Sequence, residues 1–237
     1  VNDNLIARYN RLRQRYAQRD QRMSQVLAVR DGRLAEIAPD LFADTGSYSQ
    51  PMVANMIDVA ARDTAEMIAP LPAVSCTSPN MVSDRSKKKA DIRTMIAQGI
   101  VAASDLQTQM FTGADWFVTY GFLPLRVEID DERQMPILRL MDPMGCYPEF
   151  DRFNRVTAMF QRVWCEASHI AELYPEHAHL IQQHATVYGS EAPIEVVFYH
   201  DKHRDAVLMP AASDQPLSSV PNKMGEVMVR VCRRPGP

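Results

Sequence analysis

The stretch Leu125-Arg-Val-Glu-Ile129, Asp130-Asp131-Glu132-Arg133-Gln134, Met135-Pro136-Ile137-Leu-Arg-Leu-Met141 decides the fold. Two apolar-rich runs, Leu125 to Ile129 and Pro136 to Met141, flank a charged tip, so the chain is expected to double back as an antiparallel hairpin. The pattern repeats downstream. Cys146 to Phe150 and Val156 to Cys165 are joined through Asp151-Arg152-Phe153-Asn154-Arg155, and Ile194 to His200 and Ala206 to Met209 through Asp201-Lys202-His203-Arg204-Asp205. Gly225 to Val231 reads as one more strand. Between the hairpins, Ser168 to Tyr174 reads as a short helix capped by Ser168 and stopped by Pro175, followed by a histidine- and glutamine-rich stretch from Glu176 to Gln183.

Upstream, Trp116-Phe-Val-Thr-Tyr120-Gly121-Phe122 is aromatic, β-branched and bounded by glycines, which predicts a buried strand. Before it the signals turn helical. Leu5, Tyr9, Leu12, Tyr16, Met23 and Val26 recur at steps of three and four over Leu5 to Val29, with Arg19 in the missing beat. A Gly/Ser loop (Thr45 to Gln50) precedes a second helix starting at Pro51, with an apolar stripe of Val53, Met56, Ile57, Ala60, Thr64, Met67 and Ile68. Pro70 and Pro72 end it. Ala73 to Thr77 is expected as a strand, and Ser78 to Lys89 as a polar loop carrying Lys87-Lys88-Lys89. A third helix is expected over Ala90 to Phe111, with Ile92, Ile96, Ala103, Leu106 and Met110 on one side, interrupted at Gly113.

The fold class that follows is α+β: N-terminal helices packed with antiparallel β-hairpins, with residues 1–112 mainly helical and 113–237 mainly antiparallel β. The chain has 237 residues, enough for one large or two small domains. A composition of 46% hydrophobic and 23% charged residues excludes a disordered chain or a collagen-like repeat. No stretch approaches a membrane span and the polar start lacks a signal-peptide core, so a soluble, non-secreted protein is expected. The four scattered cysteines, Cys76, Cys146, Cys165 and Cys232, form no C-x-x-C pair, in keeping with a reduced, intracellular setting. A first residue other than Met and a stop just after an apolar strand suggest a piece of a longer protein.

Charge is uneven. Residues 1–33 hold eight arginines against Asp3, Asp20 and Asp31, giving +5, whereas the whole chain is −3 and the remainder therefore −8. A basic arm on an acidic body is the pattern of nucleic-acid binding or of subunit contact, although arginine-rich helix faces are more often solvated or ion-paired within their own fold.

The common catalytic constellations are missing from the sequence. It has no G-x-x-x-x-G-K-[ST], no G-x-G-x-x-G and no G-x-S-x-G. His177-x-His179 and His184 are close but lack H-E-x-x-H spacing, and His200 and His203 bracket a hairpin tip, so all five are expected as solvent-exposed loop residues. Asp130, Asp131 and Glu132 have charge enough for a divalent cation but not the spaced-ligand pattern, and read as a solvated tip. A metal-dependent hydrolase built on Asp130, Asp131 and the histidines is the weakest alternative. The expectation is of no enzyme, no cofactor and no metal.

The order of segments resembles a known family. It is carried by Pro51-Met-Val-Ala-Asn-Met-Ile-Asp-Val-Ala-Ala-Arg-Asp63, the passage Thr112-Gly113-Ala-Asp-Trp116-Phe-Val-Thr-Tyr120-Gly121, and the hairpin with Met135-Pro136-Ile137. Met141-Asp142-Pro143 to Tyr147-Pro148-Glu-Phe-Asp151, Leu173-Tyr174-Pro175, and the late Gly225-Glu226-Val227 before Arg233-Arg234-Pro235 complete it. Together these are similar to the portal proteins of tailed bacteriophages, particularly the branch in phages of actinobacteria. The resemblance implies a ring of about twelve copies at one capsid vertex of the virion, through which DNA enters on packaging and leaves on ejection. It implies contacts with copies of itself, the major capsid protein, the head-tail connector and, transiently, the packaging terminase, and no membrane. The chain would be most of the outer wing, without stem, clip and crown, so DNA would pass through the ring without being gripped here. Arg8, Arg11, Arg15, Arg19 and Arg22 would then be the candidate contacts with a neighbouring subunit or the capsid wall. The alternative is a nucleic-acid-binding module using the same arginine-rich helix.

Overall fold

The computed structural model describes residues 4–42, 55–71, 73–79, 83–130, 132–189, 193–213 and 215–233. In chain order the helices are α1 (Leu5–Arg30), α2 (Leu34–Ile37), α3 (Met56–Ile68), α4 (Asp84–Ala103), α5 (Leu106–Tyr120), α6 (Ala167–Leu173) and α7 (Ala178–Tyr188). The strands are β1 (Phe122–Asp130), β2 (Met135–Leu140), β3 (Cys146–Phe150), β4 (Val156–Glu166), β5 (Pro193–Asp201), β6 (Arg204–Leu208), β7 (Ser218–Pro221) and β8 (Val229–Arg233). The architecture is α+β with two antiparallel sheets. No described helix is long and apolar enough to cross a membrane.

By contacts the chain forms two compact units, one of residues 1–20 with 144–230, the other of 21–143 with 231–237. They interleave along the chain. The division at 112/113 is by segment type and falls inside α5.

In the strand-rich unit, β3, β4, β5, β6 and β7 are neighbours in sequence order, a meander whose one long connection carries α6 and α7. Alternation along β5 sorts its side chains onto two faces. Val197 and Tyr199 join Tyr147, Phe160 and Leu208 beneath Leu5, Ile6, Tyr9 and Leu12 of α1. Ile194 and Val196 join Met209 and Leu217 against Ile170 and Ile181 of the α6–α7 pair. The sheet is therefore covered on both faces, and hydrophobic burial on each side sets its register. Gly145 has a steric reason: a Cβ there would fall well inside van der Waals contact with the Arg162 carbonyl oxygen.

In the helix-rich unit, β1 and β2 form the expected hairpin, and β8 adds to β1 in the order β2-β1-β8. The side chain of Asp130 closes the tip by accepting from the backbone N–H groups of Glu132 and Arg133, at 3.0 and 3.1 Å. The outer edge of β2 is covered by the α4–α5 corner. Ser104 Oγ accepts from Leu138 N at 2.8 Å and Gln109 Oε1 from Leu140 N at 3.2 Å.

Several local expectations are corrected. Trp116 to Tyr120 is not a strand but the last turn and more of α5, ended by Gly121 in the left-handed region (φ 68°), whose N–H bonds Phe117 O at 2.8 Å. Packing overrides the β propensity of this aromatic run. Gly113 does not interrupt a helix either; it lies buried within α5, where a Cβ would meet Leu140 Cδ1 at 2.9 Å. The break falls at Ser104-Asp105, with Asp105 at φ 46°. Ala73 to Thr77 joins no sheet; it runs beside α4, with Cys76 N bonded to Thr94 Oγ1 at 2.9 Å. Lys87 to Lys89 are in the first turns of α4, N-capped by Ser83, and not in a loop. Ser168 is inside α6, whose N-cap position is Glu166. The predicted start at Pro51, with Val53, lies outside the described residues.

Candidate functional site

Helix α1 carries the charge that singled it out, so its arginines are the first to place. Its apolar stripe is narrow, and side chains at the stripe's edges extend it with polar contacts. Arg8 forms a two-pronged pair with Glu149 on β3, Nε to Oε1 at 2.8 Å and Nη2 to Oε2, while Nη1 donates to Tyr199 Oη at 3.0 Å. Its guanidinium lies 5.5 Å from the Tyr199 ring centroid. Tyr199 donates onward to Asp201 at 2.5 Å. Tyr9 donates to Glu195 of β5, and Tyr16 to the Pro148 carbonyl at 2.8 Å. Arg19 stacks 4.4 Å from the Tyr16 ring centroid and 5.4 Å from that of Tyr147.

Tyr9, Tyr147 and Tyr199 in this layer are fully buried, and their phenols respond. Burial pushes Tyr147 up to about 12. Burial, and then the hydrogen bond to a carboxylate, raise Tyr9 and Tyr199 as well. Arg8 and Arg19, two of the five candidate contact residues, are therefore spent within the fold. Arg11, Arg15 and Arg22 are exposed and form no ion pair among the described residues. They fall on one line of the helix, at spacings of four and seven.

The other candidates disperse. His200 is buried on β5 with Nδ1 2.8 Å from Asp205 Oδ1, so it is not an exposed loop histidine. His177 and His179 are in helical turns, not a loop, and the His184 side chain lies outside the described ones. Asp130 is committed to its hairpin tip, Glu132 is exposed there, and Asp131 lies outside the described residues. Among the described residues no three His, Cys, Asp or Glu side chains converge as a metal site.

What sequence reading did not anticipate is the orientation of α3 and α4. Against α5, α3 turns Asp58, Ala61 and the fully buried Ala65, while its large apolar side chains face water. Met56 is 70% exposed and Met67 80%, with Ile57 and Ile68 beside them. On α4 the inner row is Ala90, Thr94, Ala97 and Val101, and Ile92, Met95 and Ile96 are turned outward, Met95 at 63% exposure. The available signal was the run of small residues at alternating steps of three and four, Ala61 and Ala65 on α3 and Ala90, Thr94 and Ala97 on α4, which allows close helix approach and leaves the large residues outside. Open apolar faces of this kind mark interaction sites.

No protein-family model matches the chain, and no curated protein matches it.

Proposed function

We propose that the chain is a structural subunit of a phage portal ring, most of its outer wing, and packs against copies of itself and the capsid wall. The observation that carries this reading is the apolar face of α3, with Met56, Ile57, Met67 and Ile68 in water while the inner row is Asp58, Ala61 and Ala65. A helix patterned this way is built to be covered by another molecule. The resemblance in segment order supplies the identity of that assembly. In it the ring of about twelve copies occupies the capsid vertex, docks the packaging motor and the head-tail connector, and lets DNA pass. An acidic remainder of −8 suits a passage in which DNA must slide, because each neutralised phosphate would add to affinity. The role is one of packing and not of turnover.

The test is native mass measurement and electron microscopy of the full chain. Rings of about a dozen subunits are expected. A chain that stays monomeric at high concentration and is missing from virus particles would refute the proposal.

A second reading is favoured by the exposed line Arg11, Arg15 and Arg22. As a nucleic-acid module the protein would bind DNA with a steep salt dependence, lost on neutralising these three. Binding unchanged by Arg11→Gln, Arg15→Gln and Arg22→Gln together would dismiss it.

A further inference from the structure

We infer that the exposed faces of α3 and α4 are the two halves of one head-to-tail contact, the α3 face of one copy seating on the α4 face of the next. The inference rests on the self-association proposed above and names the surfaces that make it.

The two faces belong to the same unit and are complementary in two respects. Each is a stripe of large apolar side chains over an inner row of small ones, so neither is filled from within. On α3 the stripe runs from Met56 to Ile68 and is bordered by Asp63 and Glu66, both exposed and in no ion pair among the described residues. On α4 the spacing Arg85, Lys88, Lys89, Ile92, Met95, Ile96 puts three exposed cations and three exposed apolar groups on one helical face. One apolar face thus has an acidic border and the other a basic end, which favours unlike faces meeting and penalises like ones.

A second feature points to an acidic occupant for α4. Arg85 and Lys87 lie in its first turn, where the helix macrodipole is positive and cations are disfavoured, and Lys88 and Lys89 follow directly. Lys87 finds only Asp84, at 3.7 Å, and that aspartate is itself exposed. Lys88 and Lys89 have no partner among the described residues. A sequence conflict of this type, kept at the surface, is relieved when carboxylates are brought to it. Two different surfaces of one chain meeting in this way make a heterologous contact, which closes into a ring when the rotation divides the circle and otherwise extends as a filament.

The experiment uses the full chain with Cys76→Ser and Cys232→Ser. Met67→Cys and Met95→Cys are made as separate proteins, oxidised alone and then mixed. Disulfide-linked dimers are expected from the mixture and not from either protein alone. Dimers from Met67→Cys alone would make the contact isologous and overturn the inference. So would binding to phosphatidylserine vesicles by a chain that stays monomeric, which would assign the α4 face to lipid. Rings that form without the mixed cross-link would sink the α3–α4 contact and leave the portal reading standing, and a chain that never self-associates would sink both. Met67→Glu, at a position open to water, should keep the melting behaviour of the parent and weaken self-association about tenfold or more. Lys88→Glu should weaken it too and be rescued by mixing with Asp63→Lys; failure of that rescue, with both variants folded, would also overturn the inference.

Discussion

Replacing Arg30 by Met should unfold the helix-rich unit more readily than any surface charge change, and the structure supplies the reason. The Arg30 side chain is 10% exposed and gathers three elements. Its Nε and Nη2 donate to Asp58 Oδ1 on α3 at 3.0 and 2.7 Å, and Nη1 donates to Asp115 Oδ2 on α5 at 3.0 Å and to the Thr119 hydroxyl. The hydrogen bond it donates to Asp115, together with that to Asp58, outweighs burial and holds the guanidinium above its usual range. Met fills the volume but leaves Asp115, 25% exposed, without its cation and Asp58, 20% exposed, with only the solvent-facing Arg62 at 2.9 Å. Removing one partner of a buried pair costs about 3–5 kcal/mol, and the partial exposure here puts the loss near 3. Urea unfolding followed by circular dichroism should show a lower midpoint at an unchanged slope. The variant Arg30→Met/Asp58→Asn/Asp115→Asn should regain about half of the loss, since it removes the stranded charges. A loss below about 1 kcal/mol would place Arg30 among ordinary surface pairs and refute the reasoning; so would a triple variant no more stable than the single one.

Two further predictions follow from packing and titration. Stability of the strand-rich unit should be full below the ordinary tyrosine value of 10.0 and fall as pH rises from there toward 12, because the unfolded chain releases phenolic protons that Tyr9, Tyr147 and Tyr199 retain in the fold. With three such groups the slope reaches about 4 kcal/mol per pH unit, and denaturant midpoints unchanged between pH ~9 and ~11 would contradict it. Gly145→Ala, facing the backbone carbonyl of Arg162, should cost about 2–3 kcal/mol, while Gly113→Ala, facing only movable leucine ends, should change stability by less than about 1 in a thermal melt. Equal effects at the two glycines would show that backbone proximity is not what fixes Gly145.

The hairpins were legible because their signal is local: alternation on either side of a charged tip determines β1–β2, β3–β4 and β5–β6 without reference to anything distant. The same locality failed at Trp116 to Tyr120. Its residues prefer strands, but the preference is worth little beside the packing of α5 on the β1–β2 hairpin, which brings Gly113 against Leu140. Lys87 to Lys89 misled for a related reason, since a basic run looks like a loop until Ser83 is seen to cap the helix ahead of it. On α3 periodicity correctly found a stripe and could not say which way it pointed. An apolar stripe fills a core in one protein and an interface in another, and only the alanines on the opposite side distinguish the two.

The arginines of α1 show why a charge count alone cannot assign a partner. Seven of them, with Arg33 just beyond the helix, look like a surface waiting for an anion. Yet Arg8 is held by Glu149 and Tyr199, Arg19 lies over two tyrosine rings, and Arg30 is enclosed by Asp58 and Asp115. These three act through stems and planar heads that widen a narrow apolar stripe, which an ammonium could not do as well. Only Arg11, Arg15 and Arg22 remain as an outward line, and three exposed charges steer an encounter more than they hold a partner. The exposed apolar stripes of α3 and α4 offer far more free energy on burial than that line does. The proposed contact therefore turns on the methionines and isoleucines of α3 and α4, while the basic helix is mostly occupied in holding its own fold together.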